Sequence, residues 1–136
     1  MRFGSKEWLD GFVRELARAP DLQAALSGLG RDAAVVVLRD PPAWPETIAA
    51  WAEQENGRIA RYRILDDEDE ILELEPAYVV RAPYRIFRAL LTGADPVKAA
   101  LSGALSVEGD LEALVRRARY RYLVDRALAA VATELP

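Results

Sequence analysis

Residues 47–65 read TIAAWAEQENGRIARYRIL, and this stretch decides the fold of the first half of the chain. Pro45, followed by Glu46 and an alanine-rich segment, favours a helix. Asn56-Gly57, however, is the strongest short-range signal for a two-residue hairpin turn, and the residues after it are typical of a strand. Because a hairpin needs a strand on each side of its turn, we predict a strand over residues 47–54.

The segments on either side of this hairpin carry recognisable helix and strand patterns. Apolar residues at helical spacing, with Ser5, Asp21, Asp95 and Asp110 as N-caps, predict helices. Apolar β-branched or alternating runs bounded by glycine or proline predict strands. The predicted helices are 6–18, 22–26, 84–91, 96–101 and a C-terminal helix after 110. The further predicted strands are 33–38, 58–65, 77–82 and 105–108, with a short extended piece at 71–74. Since most strands are separate from most helices along the chain, the predicted fold class is α+β with a largely antiparallel sheet.

The composition excludes several classes of chemistry. The 136 residues include no cysteine and no histidine, which excludes disulfides, zinc–thiolate sites, a cysteine nucleophile and a Ser-His-Asp triad. A formal net charge of −4 repels phosphate backbones, so we expect no nucleic-acid partner. We expect a single domain over residues 1–136 that is not an enzyme and has no cofactor and no metal. No apolar run approaches the roughly 20 residues of a transmembrane span, and the expected location is the cytoplasm.

A run of acidic residues is a candidate for binding a hard cation. Asp66-Asp67-Glu68-Asp69-Glu70 offers the oxygen ligands that such cations prefer. The run lacks the glycine and the alternating ligand spacing of a calcium loop. We therefore interpret it as a solvated turn.

The predicted C-terminal helix changes its apolar face along its length. At about 100° per residue, one stripe holds Leu111, Leu114, Val115, Ala118 and Tyr122, and an opposite stripe holds Tyr120, Leu123, Val124, Ala127, Leu128, Val131 and Leu135. Three interpretations stay open: the helix breaks near residues 119–122, the second stripe packs within the same domain, or it contacts a partner chain or a membrane. Arginines between the tyrosines leave a transient contact with anionic lipid headgroups open as well.

Motifs in the second half of the chain resemble a known family. Gly103-x-Leu105-x-Val107-x-Gly109-Asp110-x-x-x-Leu114 is similar to the late segment of the sterol carrier protein type-two family, and Leu91-x-Gly93-x-Asp95-Pro96-x-x-Ala99 is similar to the stretch before it. Residues 79–91 resemble the strand followed by a helix in that family, with Phe87 where a tryptophan often stands. The opening Phe3-x-Ser5-x-x-Trp8 is similar to the N-terminus of bacterial, stand-alone members.

The resemblance implies a five-stranded sheet covered by helices that enclose an apolar tunnel. It implies non-catalytic binding or transport of a hydrophobic ligand, such as a fatty acid, an acyl-CoA, a sterol or an isoprenoid-like lipid. The candidate lining residues are Phe12, Leu16, Val35, Val37, Val79, Phe87, Leu90, Leu91, Leu105, Val107, Leu111 and Leu114. Burial of an acyl chain gains about 0.8 kcal/mol per methylene, which is enough to hold a long chain without polar contacts.

A second hypothesis is a structural or interaction module with a filled core. In that case the second stripe of the C-terminal helix, together with Trp44 and Trp51, forms a homodimer or docks on a partner, since tryptophan, tyrosine and arginine are enriched in binding hot spots. An open cavity would favour the carrier, whereas a filled core and a stable dimer would favour the module.

Overall fold

A computed structural model describes residues 1–110, 112 and 118–136. Its helices are α1 (Lys6–Ala17), α2 (Leu22–Leu26), α3 (Glu70–Leu74), α4 (Tyr84–Leu91), α5 (Pro96–Leu101) and α6 (Ala118–Ala130). Its strands are β1 (Asp32–Leu38), β2 (Ile48–Glu55), β3 (Arg58–Ile64), β4 (Tyr78–Pro83) and β5 (Ser106–Glu108). The elements follow the prediction closely, and Ser5 and Asp95 cap α1 and α5 as expected. Asp21 precedes α2 but makes no capping bond with its side chain.

The five strands form one mixed sheet in the order β3-β2-β1-β4-β5. β1 and β4 pair in parallel, whereas the other three neighbouring pairs are antiparallel. The predicted α+β class with a largely antiparallel sheet is therefore confirmed. We call the β1–β4 pair the parallel seam, because it alone joins the meander β1-β2-β3 to the β4–β5 pair.

The hairpin at Asn56-Gly57 has the predicted tight turn. Both residues have positive φ angles, 53° and 81°, as the type I′ turn requires. The amide of Gly57 donates a hydrogen bond of 2.8 Å to Oε1 of Gln54. A Cβ atom on Gly57 would lie 2.5 Å from the Cα atom of Gln23 in α2, so the turn is also pressed against that helix.

Residues 71–74 differ from the prediction: they belong to the helix α3 and are not extended. The side chain of Glu70 accepts hydrogen bonds from the backbone amides of Asp66, at 2.7 Å, and Asp67, at 3.3 Å. The acidic run therefore builds the turn from which α3 starts. The sequence did not predict this helix because four residues are too few to show a helical period. Its Ile71 is buried against the sheet, a tertiary contact that no local pattern indicates.

The two faces of the sheet are covered differently. The outer face is a tightly buried cluster under α3, formed by Ala34, Val36, Ala49, Trp51, Leu65, Ile71 and Val79. At its border, the indole Nε1 of Trp51 donates a hydrogen bond of 2.8 Å to the buried carboxylate of Asp32. The inner face looks towards α1, α4 and the end of α6.

The second stripe of the C-terminal helix packs within the domain. Leu123 and Ala127 are buried in a cluster with residues of α1 and α2, and Val131 is buried in the inner core. Trp44 and Trp51 are also buried, so the surface that the interaction-module hypothesis assigned to them is absent from the described residues. The first stripe, over residues 111–122, lies outside the described side chains.

Candidate functional site

One apolar row crosses the inner face of the sheet from edge to edge. The pairs that build it are Ile64–Ala50, Ala50–Val35, Val35–Val80 and Val80–Val107. We call these five residues the inner row. Because directly paired residues point to the same face of a sheet, the row is a continuous apolar strip below the helices.

The inner row remains open to solvent. Val35 is 36% exposed, although it lies on the central strand and on the face that the helices cover. Val36, its neighbour on the outer face, is fully buried. The other four members of the row are partly exposed as well. A valine at the centre of a filled core would lose nearly all contact with solvent, so the described side chains leave Val35 uncovered on the inner face.

Aromatic rings pack together at one end of the inner face. Trp44 and Tyr84 follow the C-terminal ends of β1 and β4, and their rings stack with centroids 4.7 Å apart. Phe3 contacts both of these rings as well as Trp8, and Trp8 in turn stacks on Phe12 at 5.4 Å. We call these five side chains the aromatic end.

The filled core begins two residues beyond the inner row, at the next inner-facing pair of β1 and β4. Val37 and Ala82, which pair with each other beside the aromatic end, are 5% and 2% exposed. On the other side of the inner row, Ala33, Ala52 and Tyr62 are only partly buried, whereas Tyr78, which pairs with Ala33, is 7% exposed. The inner face is therefore packed at Val37, exposed at Val35 and packed again at Tyr78 of β4.

The structure brings most of the predicted lining residues to the inner face. Val35 is the centre of the inner row and Val107 its end. Val37, Phe87 and Leu105 are buried in the inner core, and Phe12, Leu90 and Leu91 pack partly buried against it. Leu111 and Leu114 lie outside the described residues.

Two predicted lining residues lie elsewhere. Val79 is on the outer face, in the cluster with Ala34 and Val36, so its assignment to the lining is wrong. The alternation of a strand places its neighbour Val80 in the inner row instead. Leu16 is buried in a separate cluster between α1, α2 and α6, against which Ile59 of β3 packs.

Sequence patterns missed three members of the inner row, Ala50, Ile64 and Val80. Ala50 was missed because alanine does not indicate a binding site. Val80 was missed because the sequence does not show which of the adjacent Val79 and Val80 faces inwards. The signal that could have found Ala50 and Ile64 is the register of the hairpin, because Asn56-Gly57 fixes which residues of β2 and β3 face each other. Val80 depends on the parallel seam, for which no local signal exists.

A polar pair borders the inner row at β3. The hydroxyl of Tyr62 donates a hydrogen bond of 2.9 Å to Oδ1 of Asp10 in α1. This hydrogen bond, and then partial burial, raise the pKa of Tyr62 above its ordinary value of 10.0, while Arg14 acts in the opposite direction. Tyr62 is therefore a neutral hydrogen-bond donor at physiological pH.

The acidic run at residues 66–70 is used within the fold. Its Glu70 accepts a hydrogen bond of 2.9 Å from Arg63, and this contact, followed by the backbone amides of Asp67 and Asp66, lowers the pKa of Glu70. Across residues 1–110, 112 and 118–136, no group of three or more acidic side chains is placed to hold a metal ion. The run is a structural turn in the described part of the chain.

Two other clefts lie on the surface, and the inner row lines neither. One, of about 330 Å³, is bordered by Arg2, Glu46 and the edge of the aromatic end. The other, of about 500 Å³, surrounds the hairpin turn and is mostly polar. Neither offers the continuous apolar wall of the inner row. None of the described helices is both long and apolar enough to cross a membrane.

Comparison with known proteins identifies the fold. No protein-family model matches the chain, and no curated protein matches its sequence. A crystal structure of sterol carrier protein 2 gives a TM-score of 0.77 at 22% sequence identity, covering 96% of this chain and 99% of that chain. A conserved hypothetical protein of Thermus thermophilus, described as possibly a sterol carrier protein, gives a TM-score of 0.77 at 21% identity over 97% and 91% of the two chains. UbiJ-SCP2, a ubiquinone synthesis protein, gives a TM-score of 0.54 at 20% identity over 89% and 88%. The chain has the sterol carrier fold that its motifs implied.

Proposed function

We propose that this chain is a single-domain, cytoplasmic carrier that binds a hydrophobic ligand, without catalysis, in a groove over the inner row. The ligand belongs to the class of fatty acids, acyl-CoAs, sterols and isoprenoid-like lipids. Its apolar part lies across the sheet, on Ala50, Val35 and Val80.

One observation carries this proposal: the exposure of Val35. The residue lies at the centre of five strands and below the helices, where the fold should be most tightly packed, and yet it is 36% exposed. On the outer face, where α3 fills the space, Ala34 and Val36 are fully buried. The difference between the two faces supports space for a ligand on the inner one.

The chemistry of the groove supports an apolar ligand. All five members of the inner row are aliphatic, so a lipid that covers them removes apolar surface from water on both sides of the contact. Such burial contributes roughly 25 cal/mol per Å². A bound lipid would complete the core above Val35 in the way that α3 completes the core above Val36.

The similar structures support the same class of ligand. The names of two of them refer to sterol carriers, and a third is a ubiquinone synthesis protein. Sterols and ubiquinone are strongly apolar molecules with a small polar end. A groove with an aliphatic wall and a polar border at β3 suits molecules of this shape.

Mass spectrometry of an organic extract tests the proposal. Protein purified under native conditions is extracted and compared with protein that was denatured and washed before extraction. We expect a lipid in stoichiometric amount in the native sample alone. The absence of a lipid, together with no binding of the uncharged apolar dye Nile red to the delipidated protein, would contradict the proposal.

A further inference from the structure

The polar border of the groove has a definite hydrogen-bonding character. Tyr62 lies two residues before Ile64 on β3, and the alternation of the strand therefore puts its side chain on the inner face, beside the end of the inner row. Its partner in β2 is Ala52, which leaves the ring without a bulky neighbour on that side. Among the described side chains, the polar pair Tyr62–Asp10 is thus within reach of a ligand lying on Ile64 and Ala50.

This pair offers acceptors to a ligand and no free donor. The single hydroxyl proton of Tyr62 is used in the 2.9 Å hydrogen bond to Asp10. What remains is a lone pair on the tyrosine oxygen and the acceptor sites of the Asp10 carboxylate. Both residues are partly exposed, so a ligand group can reach them.

We propose that the Asp10–Tyr62 pair selects a lipid whose polar end donates a hydrogen bond, such as a long-chain alcohol or a sterol hydroxyl, over a lipid that ends in a carboxylate. This inference rests on the proposed function. A hydroxyl can donate to the carboxylate of Asp10, which is one of the stronger kinds of hydrogen bond. A ligand carboxylate in the same place has no proton to donate and is repelled by the like charge of Asp10.

Arg14 is a described cation close enough to oppose this selection. It lies one helical turn after Asp10 on α1, and its charge acts on the hydroxyl of Tyr62. Its side chain is exposed, however, and an exposed cation attracts a carboxylate weakly because water and salt screen the interaction. Asp10, which is directly hydrogen-bonded to the groove-facing tyrosine, therefore dominates.

The test compares two ligands with the same 16-carbon chain. Delipidated protein is loaded with Nile red, and 1-hexadecanol and palmitate are titrated at pH 7.5 as competitors. We expect hexadecanol to displace the dye at a concentration about tenfold lower than palmitate. In Asp10→Asn, whose amide oxygen still accepts the hydrogen bond of Tyr62, we expect the ratio to approach one because palmitate binds better. Asp21→Asn, which removes the same charge at an exposed position before α2, is the matched control and keeps the wild-type ratio.

The outcomes separate this inference from the proposed function. Equal displacement by the two ligands, or an unchanged ratio in Asp10→Asn, overturns the inference and leaves the carrier function standing. A preference for palmitate that disappears in Arg14→Gln also overturns it. If neither ligand displaces the dye, the proposed function fails and the inference fails with it. Should Asp10→Asn not fold, Asp10→Ser takes its place, because it also removes the charge and keeps an oxygen that can accept the hydrogen bond of Tyr62; an unchanged ratio in this variant overturns the inference.

Discussion

Adjacent residues of this sheet lie in opposite environments. Ala49 and Ala50 follow each other on β2, but Ala49 is 3% exposed in the outer cluster, whereas Ala50 belongs to the open inner row. The two alanines have the same size and lie on the same strand. They therefore form a matched pair for asking whether the inner face has free space.

We predict opposite effects when each alanine is enlarged. Ala49→Leu overfills a packed cluster and should destabilise the protein by about 1–3 kcal/mol. Ala50→Leu extends into the groove and should change the free energy of unfolding by less than about 0.5 kcal/mol, while weakening Nile red binding by about tenfold or more. Urea unfolding and dye titration of the two variants provide the measurements. Equal destabilisation by both variants would show that the inner face is filled.

At the scale of the element, the β2–β3 hairpin depends on one glycine for two separate reasons. Gly57 has a φ of +81°, and a Cβ atom there would also collide with the backbone of Gln23. Gly103 has nearly the same φ, +83°, but its added Cβ would have no neighbour within 4 Å. The comparison separates the cost of backbone strain from the cost of contact with α2.

We predict that Gly57→Ala destabilises the protein more than Gly103→Ala does. Gly103→Ala should cost about 1–2 kcal/mol, the penalty for a left-handed residue with a side chain. Gly57→Ala adds a steric overlap of about 1–3 kcal/mol, because the hairpin or α2 must move. The midpoints of urea unfolding give the ranking. Equal losses of stability in the two variants would mean that the contact between the turn and α2 adds nothing to the cost of Gly57→Ala.

The stability of the protein should decrease in acid because Glu70, at the start of α3, becomes protonated. The hydrogen bonds from Arg63 and the backbone amides lower the folded-state pKa of Glu70 below its ordinary value of 4.5. The stabilisation from its charge is therefore complete above pH 4.5 and is lost as the pH falls through the folded-state pKa. Glu70→Gln should be less stable than wild type at pH 7, and the difference should disappear in strong acid.

Thermal unfolding of wild type and Glu70→Gln at several pH values checks this expectation. Glu73→Gln, at an exposed position in the same helix, is the control and should show a difference that varies little with pH. If the difference in melting temperature between wild type and Glu70→Gln stays constant from pH 7 to strong acid, the charge of Glu70 does not cause that difference.

At the scale of the whole molecule, local sequence signals predicted the helices and strands. They did not predict how elements far apart in sequence pack and pair with each other. The hairpin, the cap at Ser5 and the cap at Asp95 depend on residues close in sequence, and all three are as predicted. Whether Val79 points to the inner or the outer face depends on the register between β1 and β4. No sequence pattern near Val79 predicts this register. The helix α3 likewise depends on the burial of Ile71 against a strand far away in sequence. For the same reason, Val35 was predicted in the lining while Val80, its partner across the seam, was not.

The parallel seam also has a kinetic consequence. Ala33 pairs with Tyr78, 45 residues further along the chain, whereas β2 and β3 meet across a turn of two residues. Long loops lose more entropy on closing, so contacts of this kind form late during folding. In pulsed hydrogen exchange during refolding, the amides of β2 and β3 should gain protection before those of β4, and simultaneous protection would contradict this order. If β4 joins β1 late, the inner row is incomplete until then, and we expect a nascent or partly refolded chain not to hold a lipid.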